Sequence, residues 1–268
     1  MFVGTLRTIE NEFDECVAGI ERQSYRDLEQ FVFQNLPNKE AHDILYRSLM
    51  DCRHEFDLMI KVDADIVIGD RDLFAKIVAK FQADAQLRDL EIAVYDFFSD
   101  QLIWGMHAYR NTVRWQQSDE DLLVDYVPLA EGEYICDDSE LAPAAFHCKN
   151  PSPFQGFYYG VHKALKMTQQ GRKKRDYHQT LSKWDINERT RQHFRRARDR
   201  RVGLAVLGAE LTFRGRMQPR HLECTNPYLQ SLHDYQLLLL VLPRNGASKS
   251  DVLEGGLRER CSCGRNNP

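Results

Sequence analysis

The chain is 268 residues long, 43% hydrophobic and 28% charged, with a formal net charge of −4. That balance excludes disordered, collagen-like and coiled-coil chains and leaves enough apolar material for a sizeable core. The longest unbroken apolar run, residues 237–242, is far too short for the roughly 20 residues a membrane-spanning helix needs, and seven scattered cysteines, an odd number, point to a reducing compartment rather than a disulfide framework.

Residues 2–6 read as a short buried strand, and no signal peptide is expected ahead of them because the basic and apolar regions of one are absent. Residues 10–23 carry Phe13, Cys16, Val17 and Ile20 at the spacing of an amphipathic helix. A second strand is predicted over 28–33. Leu36-Pro37-Asn38 breaks it, with Asn38 placed to cap a helix over 39–53. A third strand, 56–62, ends at Asp63-Ala64-Asp65, residues 66–70 turn the chain, and a further helix covers 72–82. Strand and helix alternating in this way predict a mostly parallel sheet flanked by helices, a Rossmann-like α/β architecture. Ligands of such sheets bind beyond the carboxyl ends of the strands. Chemistry is therefore expected near residues 5–8, 34–35 and 63–65.

After Leu90 the pattern changes. Short strands are expected at 91–95, 102–109, 124–128 and 144–148, followed from Gly160 by a helical, basic stretch. Residues 163–201 hold fourteen Lys and Arg against four Asp and Glu, so the rest of the chain is correspondingly acidic. Such a block suits an anionic membrane surface, a phosphorylated acceptor or a solvated helix face. Nucleic acid fits least, because interleaved aromatics and a recognised motif are missing. Helices are predicted at 202–213, where Gly203 and Gly208 imply close packing, and at 228–242, before a polar, Gly- and Ser-bearing tail. The expected division is a core over 1–159, a basic helical region over 160–245 and a flexible tail over 246–268.

The chemistry concentrates at Asp63 and Asp65. Side chains two apart on a strand share a face, so a strand persisting through Asp65 sets two carboxylates side by side. Adjacent anions are costly unless a cation offsets them, and a hard divalent ion shared with a diphosphate does so. Two turn residues would also explain the pair.

Here the sequence resembles a known family. The stretch ECVAGIERQSYRDLE over residues 15–29, a helix running into a Gln-Ser-Tyr turn and a strand, together with Asp63-Ala64-Asp65, is similar to the donor-binding half of GT-A glycosyltransferases of the family 2 type. The likeness covers about a third of the chain. It implies a GT-A fold and a metal-dependent transfer of sugar from a nucleoside-diphosphate sugar, UDP-linked for preference, to a hydroxyl acceptor. Mn²⁺ or Mg²⁺ would be held by Asp63 and Asp65, with His147 as a late additional ligand. Thr5, Arg7, Glu10, Gln34, Asn35 and Asp63 would contact the donor. Gln34 and Asn35 stand where the family carries acidic residues, and an amide still offers a donor and an acceptor to a uracil edge. The general base is sought at Asp137 or Asp138, with Glu131, Glu133 and Glu140 competing, since the family's Glu-Asp base motif is absent. Lys163, Lys166 and Arg172 are candidate cations for the departing diphosphate. The resemblance further implies a cytoplasmic enzyme of bacterial surface polysaccharide or glycolipid synthesis, working on a glycan or lipid-linked acceptor at the inner face of the membrane through residues 163–201. Two other readings stay open. One is a sugar nucleotidyltransferase, although residues 4–8 hold a single glycine where a phosphate loop would need more. The other is a non-catalytic nucleotide-binding scaffold.

Overall fold

The computed structural model describes residues 1–115, 133–137, 141–169, 177–219, 222, 229–231, 233 and 234. The chain divides into two units, Met1–Gln230 and Ser231–Pro268, and every element named below lies in the first. The strand predicted at 124–128 and the tail fall outside the described residues, as does most of the helix predicted at 228–242.

The first half follows the predicted alternation. Strand β1 (Phe2–Arg7) lies between β2 (Glu29–Gln34) and β3 (Leu58–Lys61) and pairs in parallel with both. Alternation along β1 sends Val3 to one face and Phe2 to the other. Val3 joins a core built with α1 (Phe13–Glu21) and α3 (Leu73–Ala83), whereas Phe2 joins Leu45, Tyr46 and Leu49 of α2 (Asn38–Asp51). Helices thus cover both faces of this part of the sheet. Pro37 occupies the N-cap of α2 and Asn38 its first turn, with no side-chain cap bond, so Asn38 is not the expected cap.

The sheet as a whole is mixed, not mostly parallel. Its order is β2-β1-β3-β6-β5-β8-β4, with β7 also on β5. Strands β5 (Leu87–Asp96) and β6 (Gln101–Arg110) form a hairpin across residues 97–100, and so short a connection allows only antiparallel pairing. Because β6 inserts between β3 and β5, it runs against both. Strand β7 (Glu133–Asp137) lies along the first part of β5 and β8 (Ala145–His147) along its end. Residues 66–70, expected as a turn, begin with strand β4 (Ile66–Ile68), antiparallel to β8: three buried β-branched residues complete the sheet there.

Three helices follow, α4 (Pro153–Thr168), α5 (Tyr177–Ala197) and α6 (Arg200–Phe213). Helix α4 opens on a full capping box, with Ser152 and Gln155 each bonding the other's backbone. It runs unbroken through residues 159 and 160. Glycines bring α4 and α6 into backbone contact: a Cβ on Gly160 would sit 1.8 Å from the Ala205 carbonyl oxygen, and one on Gly208 2.3 Å from that of Phe157. Much of the described basic stretch is paired locally. Arg189, Arg191, Arg196 and Arg201 each hold a carboxylate, from Asp185, Glu188 with Glu210, Asp100 and Asp199 respectively.

Candidate metal centre and donor cleft

The ends of β1, β3 and β8 and one side of α4 line a solvent-open recess. Its walls carry Glu10, Asn35, Asp63, Asp65, His147 and Lys163, along with Lys61, Lys166, His42 and Trp104.

Beyond Lys61 the chain stays extended. The amides of Val62 and Ala64 donate to the Gly4 and Leu6 carbonyls, so strand geometry reaches the Asp-x-Asp segment. Val62 and Ala64 are buried, and Asp63 and Asp65 both face the cleft. Their surroundings differ. Asp63 accepts from the Lys61 ammonium at 2.7 Å, and that lysine is nearly buried. Asp65 points at His147, with Oδ2 3.3 Å from Nε2, and accepts from the Cys148 thiol at 3.3 Å. Its other oxygen, Oδ1, is buried without a hydrogen-bond partner among the described residues. A buried anionic oxygen left unpaired is costly, and a nearby cation would offset that cost.

His147 is held from behind. Its Nδ1–H donates at 2.6 Å to Asp96, a fully buried carboxylate at the end of β5 that also accepts from the Ser99 amide and hydroxyl and from the Tyr159 hydroxyl. Burial disfavours charge on His147, but the Asp65 and Asp96 carboxylates outweigh it and push the imidazole up to about 10. Burial likewise disfavours the Asp65 anion, yet His147 holds that carboxyl down to about 2. Burial raises the Cys148 thiol well above its ordinary range, and the Asp65 and Asp96 charges add to this. Across the cleft Glu10 accepts from the Thr8 amide and hydroxyl. Burial first, then the Asp65 charge, push it up to about 7. His42 gives its Nδ1 proton to the Asn38 carbonyl and is driven down to about 4 by burial and by Lys61 and Lys166.

Of the residues singled out in the sequence, Glu10, Asn35, Asp63, Asp65, His147, Lys163 and Lys166 meet in this cleft. Thr5 does not line it: buried in β1, its hydroxyl accepts from Gln30. Arg7 lies over the Phe13 ring, 3.8 Å from guanidinium carbon to ring centroid, and Gln34 is exposed at the end of β2. Asp137 ends β7 beside Ile92, its side chain outside what is described. Asp138, Glu131, Glu140 and Arg172 lie outside the described residues. Sequence reasoning missed Asp96, although a carboxylate closing a buried strand is the signal it used at Asp63.

Fold and site together define a mixed α/β protein with an acid-, histidine- and lysine-lined cleft at its strand ends. No family model matches the chain, and no curated protein does. Among solved structures it is similar to A197 from STIV, at 13% identity and a TM-score of 0.31, over 41% of this chain and 65% of that one. The chain thus spans just under two thirds of that structure, and a likeness of this degree carries no weight for fold or function.

Proposed function

We propose that the chain is a divalent-metal-dependent glycosyltransferase of GT-A type, moving a sugar from a nucleoside-diphosphate sugar, UDP-linked for preference, to a hydroxyl acceptor. The observation that carries the reading is the meeting of Asp65, from the Asp-x-Asp segment, with His147 at 3.3 Å in a cleft that also holds lysines. The Asp-x-Asp segment and the late histidine lie 82 positions apart in the chain, and the resemblance implied both as ligands.

In this reading Asp65 and His147 hold the ion, Mn²⁺ or Mg²⁺ by the resemblance, and Asp63 stays on Lys61. The ion, when bound, supplies Lewis-acid neutralisation of charge on the departing diphosphate. Lys163 and Lys166 add positive charge from α4, and Asn35 and Glu10 supply polar contacts to the nucleoside side. A cytoplasmic role in bacterial surface polysaccharide or glycolipid synthesis, with residues 163–201 turned to the inner membrane face or to a lipid-linked acceptor, completes the proposal.

The test is thermal stabilisation by a panel of nucleoside diphosphates and nucleotide sugars, with and without Mn²⁺. An ion-dependent rise in Tm for a subset of them, abolished in Asp65→Asn, is expected. Equal shifts in wild type and variant would remove the assignment. Slow hydrolysis of the stabilising sugar nucleotide separates an enzyme from a scaffold that binds without turnover.

A further inference from the structure

We propose that Asp65, His147 and Cys148 form a preformed three-donor site selective for a thiol-accepting divalent cation of the Zn²⁺ and Co²⁺ class, with Cys148 as a sulfur ligand. The proposal rests on one part of the reading above, that Asp65 and His147 hold a divalent ion; it replaces the Mn²⁺ or Mg²⁺ that the resemblance implied and does not depend on the sugar half.

Geometry carries it. The three donor atoms, Asp65 Oδ2, His147 Nε2 and Cys148 Sγ, stand 3.3, 3.3 and 3.8 Å apart. A tetrahedral ion with its usual bonds to oxygen, nitrogen and sulfur has ligand-to-ligand edges of roughly 3.3–3.6 Å. The triangle therefore has nearly the dimensions of one face of such a tetrahedron, leaving the fourth position for water or substrate from the cleft. Mg²⁺ takes an octahedron of oxygens and gains nothing from sulfur.

The backbone supports the same conclusion. Cys148 has φ of 52°, the left-handed region that non-glycine residues rarely occupy. Its amide donates to the Asp65 carbonyl at 2.8 Å, which pins the thiol against that residue's carboxylate. Strain of this kind gathers where a side chain must be aimed. Behind His147, Asp96 takes the Nδ1 proton and directs Nε2 at Asp65, as a carboxylate does behind many metal-bound histidines. Asp65 Oδ1, without a hydrogen-bond partner among the described residues, is a further oxygen beside the same point. On coordination the Cys148 S–H proton and the His147 Nε2 proton pass to solvent, and each atom gives its freed lone pair to the ion.

The experiment is a Co²⁺ titration of the full chain after removal of metal by chelation, followed by absorbance and calorimetry. A sulfur-to-cobalt charge-transfer band in the near ultraviolet is expected to saturate with binding, to be displaced by Zn²⁺ and to survive a large excess of Mg²⁺. Cys148→Ser should lose the band and bind Co²⁺ at least about tenfold more weakly. A band that persists in Cys148→Ser would place the sulfur on another cysteine and overturn the proposal. Binding of Co²⁺ or Mn²⁺ to the wild type with no sulfur band, abolished in Asp65→Asn, would overturn it too while leaving the metal-dependent reading standing. No divalent binding at all would remove both. Because the band is read first in the wild type, a Cys148 variant that fails to fold does not remove the test.

Discussion

Asp96 is the residue on which the candidate centre turns. It is fully buried, and burial alone would favour its neutral form, but His147 and Ser99 hold its pKa below the ordinary carboxylate value. One oxygen is committed to the Ser99 amide and hydroxyl, so the other must face His147. In Asp96→Asn the amide oxygen is the group able to accept from Ser99, which turns the NH₂ toward Nδ1. Nδ1 must then accept, which fixes the ring's remaining proton on Nε2, the atom that has to release its proton to ligate a metal. The variant is expected to bind divalent metal about 10- to 100-fold more weakly while keeping its fold. Calorimetric metal titration beside a far-ultraviolet spectrum checks this. Unchanged affinity would show that His147 does not need Asp96 to orient it.

At the scale of elements, the α4–α6 contact is the tightest packing among the described helices. Gly160→Ala places a methyl into the Ala205 carbonyl, which lies on a helix backbone and cannot swing away. The helices must separate, and a loss of roughly 1–3 kcal/mol is expected, measured as a lower denaturant midpoint with an unchanged slope. A midpoint equal to wild type would show that the two helices slide freely past each other. The glycines of this contact were partly visible in the sequence, as were β1 to β3 and α1 to α3, because each has its own apolar period. What was hidden depends on partners distant in the chain. Ile66–Ile68 is β-branched throughout, but three residues are too short to declare a strand alone, and the segment becomes one by pairing with β8, 79 or so positions away. The direction of β6 follows from its hairpin and from its insertion beside β3, which periodicity does not encode. The start of α4 is legible in Ser152-Pro153-Phe154-Gln155, which has the capping-box pattern. Asp65 stood out by its neighbour Asp63, whereas Asp96 matters through His147, 51 positions on.

For the whole molecule, the unusual titrations combine into one dependence of stability on pH. Asp89 is buried in β5 with Oδ1 unpartnered among the described residues. Burial first, then Glu91, push its pKa up to about 8 from an ordinary 3.8. Between those values the unfolded chain has lost the proton and the folded chain keeps it, so folding weakens as pH rises. Glu10, at about 7, acts in the same direction from pH 4.5 upward. His42, driven down to about 4, opposes them up to pH 6.5, because there the unfolded chain binds the extra proton. Above pH 6.5 that opposition ends, and His147, raised to about 10, begins to lose its own stabilising charge difference. Metal-free protein should therefore lose stability gently from pH 4.5 to 6.5 and steeply from 6.5 to 8, each unmatched proton contributing roughly 1 kcal/mol per pH unit. Asp89→Asn removes one of these protons, so its Tm should exceed that of the wild type at pH 8 by more than it does at pH 4.5. Thermal melts of both proteins in chelator across this range decide the matter. Parallel curves would show that Asp89 ionises in the fold as it does in water, through a contact that burial and Glu91 alone do not describe.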